Sequence, residues 1–486
     1  MDKGFLSNLL KGMLSTSFGT GIVIFFHFLS VVLMTRLVSK EDLGLYFLAS
    51  ASINLLVNLG GLGLDLALVR FVSGVDAQVR RQTFASVIAV RALGLMTVGV
   101  VFYLAGELVL SFFDQRLDPY VFLIIVLFFV NSLRELFLHL IQGIQRFKQY
   151  AVVQILSASS RVILLIVLAG SLDLATLLHI DIVALCLSLL FELFVARDFL
   201  KGLSVRSLSR EALGTVSRFS APLYFNNLLT FAYNRSSVFL IGTFLTPISV
   251  AAYGIAQKIP DACMRLFRSF IVVYFPNVSE LFAQDKRPAA RKVMNHSLIL
   301  TSTLIVFVVL ITFLLREEIA VLMFSEEYAE ISLALAFLML NFSLHAISNV
   351  MGYSLVSAGN AMAPVRTNVV ASAVNIGSGI VLIQRFGYMG AVYALLLMNI
   401  TSQILYYLQL RRMGIAPRAF HYLRPFLLLA PAIGIDWLLG GRSFIVKALL
   451  IVFYVASSVL VIGEIRELFS SARGYVNRLR MHGESA

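Results

Sequence analysis

Residues 296–315 read HSLILTSTLIVFVVLITFLL, a stretch with no Asp, Glu, Lys or Arg. A hydrocarbon core about 30 Å thick needs roughly 20 residues of α-helix to cross it. This stretch is long and apolar enough to do so. It therefore predicts a transmembrane helix.

The composition of the whole chain agrees with that prediction. Its 486 residues are 59% apolar and only 13% charged, and the mean hydropathy is +0.89 with an isoelectric point near 9.8. Soluble domains carry about 25% charged residues. The composition therefore excludes a soluble enzyme, a secreted disulfide scaffold and a nucleic-acid-binding protein, and it indicates an integral membrane protein.

Further apolar runs follow one another along the chain, bounded by charges, Gly or Pro. Together they predict an all-α membrane protein with about fourteen transmembrane helices. The runs are 14–37, 43–69, 85–113, 120–144, 151–172, 174–195, 221–245, 248–274, 296–315, 331–356, 367–383, 388–408, 425–439 and 444–462. The run with Pro425 and Pro431 is the least regular of them.

The short connections between these runs set the orientation of the chain. If the amino terminus is cytoplasmic, most Lys and Arg residues of the connections fall on the cytoplasmic side, as the positive-inside rule requires. An even number of spans then returns the carboxyl terminus to the same side. We therefore expect an inner-membrane protein with both termini in the cytoplasm.

Seven basic residues fall inside the runs, where each costs a few kcal/mol unless it faces protein or water. They are Arg91, Arg134, Arg161, Arg235, Lys258, Arg265 and Arg268. In one interpretation they form structural pairs. Asp65 and Arg91 come from adjacent runs, Arg134 neighbours Glu135, and Arg235 could turn towards Glu192 or Asp181.

The eighth run favours a second interpretation. Lys258, Asp261, Arg265 and Arg268 recur at steps of three, four and three residues, which places them on one face of a helix. A helix with one ionic face and apolar flanks predicts a wet internal cavity. Arg235 on the seventh run, with its neighbours Asn234 and Tyr233, would add to the wall.

A weak internal repeat relates two parts of the chain. Residues 38–49, VSKEDLGLYFLA, align with residues 245–256, LTPISVAAYGIA, after a shift of 207 positions. A shift of six helices returns the chain to the same orientation, as parallel repeats in transporters require. The basic connection between the sixth and seventh runs then separates two equivalent halves.

Three stretches together resemble a known family. Residues 35–46, TRLVSKEDLGLY, look like the first-hairpin motif of the bacterial O-antigen and polysaccharide flippases, which belong to the multidrug/oligosaccharidyl-lipid/polysaccharide transporter superfamily. Gly352, residues 357–360 (SAGN), 374–376 (VNI) and 386–391 (FGYMGA) resemble its helix ten to twelve region, and residues 250–259 its eighth-helix opening. The chain departs at Asn234-Arg235, where many members carry an acidic residue.

The resemblance implies two pseudo-symmetric six-helix lobes forming a V, with two further helices. The implied parts are an amino-terminal lobe at 1–198, a cytoplasmic linker at 199–218, a second lobe at 219–412, helices thirteen and fourteen at 413–468, and a cytoplasmic tail at 469–486. The implied substrate is a polyprenyl-pyrophosphate-linked oligosaccharide, moved to the outer leaflet by alternating access for cell-surface polysaccharide biosynthesis. Other implied partners are membrane lipids, a glycan polymerase and chain-length proteins; no nucleic acid is expected.

The expected site is a cationic cavity, since guanidinium groups pair well with phosphate oxygens. Its expected substrate-binding residues are Arg235, Lys258, Arg265, Arg91 and Arg161, with Asp65, Asp261 and Asp181 as coupling or ion-pair residues. The sequence has no Walker-type loop, nucleophile elbow or metal-ligand spacing. We therefore expect no catalytic residue, cofactor or metal.

Two alternatives remain open from the sequence. The first is a drug or cation antiporter of the multidrug and toxin extrusion (MATE) type, although a mainly basic cavity suits cationic drugs poorly. The second is a membrane polysaccharide polymerase or ligase. Those enzymes typically need a large outer loop, whereas the longest one here, 316–330, is short.

Overall fold

The computed structural model describes residues 3–73, 76–200, 209–438 and 444–461. Within these ranges the chain folds into α-helices joined by short turns, and no strand occurs. The helices are α1 (Lys3–Leu37), α2 (Lys40–Gly61), α3 (Leu64–Val72), α4 (Ala77–Ser111), α5 (Val121–Gly143), α6 (Phe147–Val167), α7 (Leu174–Leu200), α8 (Arg210–Phe244), α9 (Pro247–Ala256), α10 (Lys258–Ala283), α11 (Arg287–Leu314), α12 (Arg316–Phe324), α13 (Ser332–Ser357), α14 (Met362–Phe386), α15 (Tyr388–Arg412), α16 (Ala419–Leu438) and α17 (Phe444–Val461). The predicted all-α class is confirmed.

Within the described part of the chain, eleven segments are long and apolar enough to cross a membrane. They match eleven of the fourteen predicted runs, and the chain is a multi-pass membrane protein. The count of fourteen is not confirmed, because the runs at 221–245, 425–439 and 444–462 do not meet both conditions. The first of them lies in α8, a 35-residue helix rich in polar side chains.

Two predicted runs are interrupted rather than continuous. The run at 43–69 breaks between α2 and α3, where Leu62 and Gly63 have φ of 51° and 68°. At Gly63 a Cβ would lie 2.6 Å from the backbone nitrogen of Tyr224, so this close approach of α8 requires glycine. The run at 248–274 breaks at Gln257, which places Pro260 in the first turn of α10, where its missing N–H is not needed.

The described residues form two compact units. The first comprises Met1–Ile255 with Gly379–Ala391. In it α1 packs on α6, α5 packs on α7, and α2 contacts α4, α5 and α8. Its core contains the fully buried side chains of Leu64, Leu68 and Phe84.

The second unit comprises Ala256–Ser378 with Val392–Ala486. Helix α11 contacts α10, α13, α16 and α17. The core includes Met351, Leu355 and Tyr406, and the hydroxyl groups of Tyr274 and Ser354 hydrogen-bond at 2.6 Å. These units divide the chain at other positions than the expected lobes, whose boundaries stay a prediction. Within the expected linker, residues 201–208 lie outside the described ranges, as does the expected tail at 469–486.

The turns of the two repeated hairpins occupy equivalent positions. Helix α1 ends at Leu37 and α2 begins at Lys40, while α8 ends at Phe244 and α9 begins at Pro247, each 207 positions later. Ser39 caps α2 by accepting a hydrogen bond from the Asp42 N–H.

The two hairpins also pack together through glycine. At Gly44 a Cβ would lie 1.8 Å from the carbonyl oxygen of Pro247, and at Gly254 one would lie 2.5 Å from the ring of Phe47. Phe47 and Gly254 are themselves 207 positions apart, so each occupies the same place in its repeat. A contact between equivalent positions is expected where two repeats are related by a local two-fold axis.

Candidate functional site

The break between α2 and α3 positions the first charge pair. Asp65 lies in the first turn of α3, where the helix dipole favours a carboxylate. Its Oδ1 accepts a hydrogen bond from Arg91 Nη1 of α4. The Arg91 side chain is 1% exposed and that of Asp65 is 24% exposed. The two residues that the sequence placed on adjacent runs therefore form an ion pair, in which the arginine is buried and the carboxylate is partly exposed.

A second pair joins α5 to α7. Arg134 Nε lies 3.7 Å from Glu192 Oε1, and the Glu192 side chain is fully buried. Ser188 donates a hydrogen bond of 3.3 Å to the same oxygen. Glu135 lies within electrostatic range of both Asp65 and Arg91. Two arginines and three carboxylates thus share one network, and Glu192, rather than neighbouring Glu135, is the ion-pair partner of Arg134.

A third pair joins α6 and α7 to α2. Arg161 Nε lies 3.1 Å from Asp181 Oδ1, and Arg161 Nη2 donates to the hydroxyl oxygen of Tyr46. The Tyr46 hydroxyl in turn donates to Asp181 Oδ2 at 2.7 Å. The guanidinium also stands over the Tyr46 ring, 5.4 Å from its centre. These three side chains therefore bind α2, α6 and α7 to one another.

Arg91 and Arg161, which are both among the expected cations, thus have carboxylate partners. Buried charges of this kind stabilise a fold only while both partners are present. In the described conformation the two guanidinium groups have their charge compensated, which weakens them as anion ligands. Their expected role in substrate binding stays a prediction.

Arg235 has a different environment. It lies on α8 and is half-buried, between the exposed Asn234 and the half-buried Ser236. The two acids towards which it could have turned, Glu192 and Asp181, pair with other arginines. Within the described ranges no ion pair of Arg235 is found, so its charge is not compensated there by a carboxylate.

The four charged residues predicted to share one helix face lie on the unbroken helix α10. Lys258 and Asp261 are half-buried, whereas Arg265 and Arg268 are exposed. Helix α10 contains all four, and they belong to the second compact unit. Arg235, Arg91 and Arg161 belong to the first.

A polar ladder that the sequence reasoning missed continues from this helix. Arg268 is within electrostatic range of His345 on α13, whose side chain hydrogen-bonds Asn399 on α15. Asn399 Nδ2 donates to Asn341 Oδ1 at 3.1 Å, and Asn341 Nδ2 donates to the carbonyl oxygen of Val392 at 3.2 Å. Polar residues four apart within apolar runs, Asn341 with His345 and Asn399 with Gln403, were the available signal.

Two family models match the chain. A model described as "Polysaccharide biosynthesis protein" matches residues 9–282, and a model described as "MatE" matches residues 222–381. The first covers more than half of the chain.

Individual proteins and solved structures are also similar to this chain. The chain is 21% identical over 406 residues to the "Probable low-salt glycan biosynthesis flippase Agl15" of Haloferax volcanii, covering 82% of this chain and 81% of that protein. Among solved structures, "Lipid II flippase MurJ, inward closed conformation" superposes with a TM-score of 0.75 at 15% identity, covering 93% of this chain and 99% of that one. An inward-facing MATE family multidrug transporter of the MOP superfamily superposes with a TM-score of 0.67 at 15% identity, covering 80% and 94%. At these identities the structures establish a shared fold.

Proposed function

Because the chain belongs to the polysaccharide biosynthesis protein family, we propose that it is a flippase that moves a polyprenyl-pyrophosphate-linked oligosaccharide from the cytoplasmic to the outer leaflet. The relative from Haloferax volcanii bears the name of a glycan biosynthesis flippase. The proposed cycle is alternating access, with the substrate site open first to one side and then to the other.

The observation that carries the proposal is the exposed cationic face of α10. Arg265 and Arg268 lie on a segment that is long and apolar enough to cross a membrane, and both are exposed. A charged side chain at membrane depth is tolerated where it faces water or a polar partner. An anion that travels through the membrane protein would meet its ligands on such a face.

The chemistry of the substrate matches these ligands. Pyrophosphate is anionic and the sugar is strongly hydrated, so neither crosses hydrocarbon without replacement of its hydrogen bonds. A guanidinium offers a planar fork to phosphate oxygens, whereas a lysine offers a mobile point charge. Lys258 and Arg265, two helical turns apart, supply one of each along the proposed route.

The proposal gives different roles to the five expected cations. Lys258, Arg265 and Arg235 would contact the substrate. Arg91 and Arg161, held by Asp65 and Asp181, would maintain the helix packing of the first unit in this conformation. Asp261 would moderate the charge of the α10 face as an ion-pair residue.

The surroundings of the site are part of the proposal. The chain would lie in the inner membrane. Both of its termini would lie in the cytoplasm, as the distribution of its basic residues predicts. The two six-helix lobes would provide the moving parts. A glycan polymerase and chain-length proteins would receive the product, and membrane lipids would surround the protein.

A MATE-type antiporter is the second candidate, favoured by the "MatE" match at residues 222–381. A mainly basic face disfavours cationic drugs, because like charges repel in a site of low dielectric constant. The enzyme alternative, a polymerase or ligase, is not supported, since the similar proteins bear the names of flippases and transporters.

The proposal is tested by export of surface glycan in cells whose own copy of the gene is deleted. Complementation with Arg265→Ala or Lys258→Ala should lower export about tenfold or more, because one charged hydrogen bond contributes about 1.5 to 3 kcal/mol. Arg385→Ala, which removes an exposed arginine at the end of α14, is the matched control. Normal export by both α10 variants at equal protein level would remove this face from the route.

A further inference from the structure

A second cationic feature has no lining residue from α10. A cavity of about 670 Å³ opens between the start of α11 and the segment that joins α15 to α16. Its basic lining residues are Arg287, Arg291, Lys292, His296 and Arg418, and its lining includes no carboxylate. Arg287, Arg291, Lys292 and Arg418 are all exposed to water.

The cavity wall is held in place by hydrogen bonds between distant parts of the chain. Arg291 Nε donates to the carbonyl oxygen of Ala416 at 2.9 Å. The backbone N–H of Arg418 donates to Asn295 Oδ1 at 3.0 Å. Both bonds cross from α11 to the α15–α16 segment, so the basic side chains project from a fixed frame rather than from a free loop.

The charge balance of the cavity is strongly positive. Of its basic residues, Arg287 has an acidic partner, Asp285, at 3.2 Å, and both are largely exposed. Two helices, α11 and α16, also begin at this place. Helix N-termini carry partial positive charge and free N–H groups, so they add to the field of the side chains.

The floor of the cavity is apolar. Ile299 and Ile415 line it and are buried. From the cavity, α16 continues with Phe420 and Leu427, whose side chains are 60% and 59% exposed. A ligand that suits this arrangement has an anionic head and an apolar body.

We propose that this cavity binds the phosphate headgroup of an anionic phospholipid, with the acyl chains lying along the exposed apolar face of α16. Basic pockets at the polar ends of transmembrane helices suit such headgroups. Free phosphate carries the same anionic chemistry, but it has no apolar part that could contact the apolar floor or the face of α16. Lipid binding here would tie α16 to α11 and thereby stabilise the second unit.

The test uses the purified full-length protein in a neutral detergent. Its melting temperature is measured while phosphatidylglycerol, phosphatidylcholine or inorganic phosphate is added. We expect phosphatidylglycerol to raise the melting temperature at concentrations at least tenfold lower than the other two. Native mass spectrometry should show a bound phosphatidylglycerol that survives mild activation.

The double variant Lys292→Gln/Arg418→Gln should need at least tenfold more phosphatidylglycerol for the same stabilisation. The matched control is Arg411→Gln/Arg412→Gln, which removes the same charge from exposed residues outside the cavity lining. The control should respond like the parent protein. If the double variant is not recovered, Arg418→Gln alone serves, because the contact of Arg418 with Asn295 uses the backbone N–H.

Three results would overturn the proposal. Equal stabilisation by phosphate and phosphatidylglycerol would indicate a site for the free anion. Equal losses in cavity and control variants would indicate general surface attraction. An unchanged response of the cavity variant would place the lipid elsewhere. Because the readout is lipid binding and not transport, each of these results leaves the proposed flippase function untouched.

Discussion

Neutralising Arg161 should destabilise the protein, and neutralising Asp181 as well should restore most of the loss. The Arg161→Gln substitution leaves the Asp181 carboxylate with the Tyr46 hydroxyl as its remaining partner. Asp181→Asn leaves the guanidinium with the Tyr46 hydroxyl and ring. In the double variant both positions carry neutral amides, so neither substitution leaves the charge of the other residue unpaired.

The expected magnitude follows from the burial and the distance. Both side chains are 18% exposed and their charged atoms are 3.1 Å apart. At an effective dielectric constant near 20, the attraction at this distance is about 5 kcal/mol. Removing one member of a buried pair costs about 3 to 5 kcal/mol, and the partial exposure places each single variant near the lower figure. The double variant should lose much less than either single variant, because it leaves no uncompensated charge at the pair.

The assay is the melting temperature of the purified variants in one detergent. The two single variants should melt well below the parent protein, and the double variant should melt above either single one. Arg385→Gln, at an exposed arginine, controls for loss of surface charge. Losses that simply add in the double variant would show that Arg161 and Asp181 do not interact. An unchanged melting temperature of Arg161→Gln would return this arginine to the substrate-binding role that the sequence suggested.

Two further predictions concern the packing of the repeat and the wall of the proposed route. Gly44→Ala should lower the melting temperature sharply, since its Cβ would lie 1.8 Å from the Pro247 carbonyl oxygen and overpacking costs about 1 to 3 kcal/mol or more. Gly214→Ala, with no atom within 4 Å of the added Cβ, should be neutral or stabilising by about 0.5 to 1 kcal/mol; equal melting of the two variants would contradict the close approach. Arg235→Lys should retain part of the glycan export and Arg235→Gln should lose it, because the charge without the fork serves phosphate less well. Full export by Arg235→Gln would remove this residue from the route.

The membrane helices could be predicted because their signal is carried by each segment alone. An apolar run of about 20 residues crosses hydrocarbon as a helix whatever its neighbours are, since all its backbone hydrogen bonds are internal. The interruption at Gly63 could not be placed in the same way. It depends on the close approach of α8, and Tyr224 lies more than 150 positions further along the chain.

The charged residues were predictable as a class but not as pairs. Residue spacing puts Lys258 and Arg265 on one helix face, but it does not say which neighbouring helix that face meets. Arg161 pairs with Asp181 and Tyr46 because α6, α7 and α2 are in contact. The sequence suggested Asp181 as a partner of Arg235 instead, because it gives the order of the runs along the chain but not which runs pack together.

The polar ladder of the second unit illustrates the same limit. His345 has no metal-ligand spacing, and the sequence therefore assigned it no role. Its partner Asn399 lies on another helix, and only the packing of the second unit brings the two side chains together. The four-residue spacing of the polar side chains within each apolar run was visible in the sequence. The alignment of one helix with the other, which brings these side chains together, was not.

The proposed function is tested most directly by flipping in vesicles that contain only the purified protein. A polyprenyl-pyrophosphate oligosaccharide with a fluorescent sugar is placed in both leaflets of the vesicles. The fluorophores in the outer leaflet are first bleached. An impermeant quencher then reports how many unbleached molecules reach the outer leaflet over time. Recovery of quenchable signal should require the protein, should slow about tenfold or more with Lys258→Ala/Arg265→Ala, and should be normal with Arg385→Ala. Vesicles that never translocate the lipid-linked sugar, yet accumulate a cationic dye when an ion gradient is imposed, would contradict the flippase assignment and favour a MATE-type antiporter.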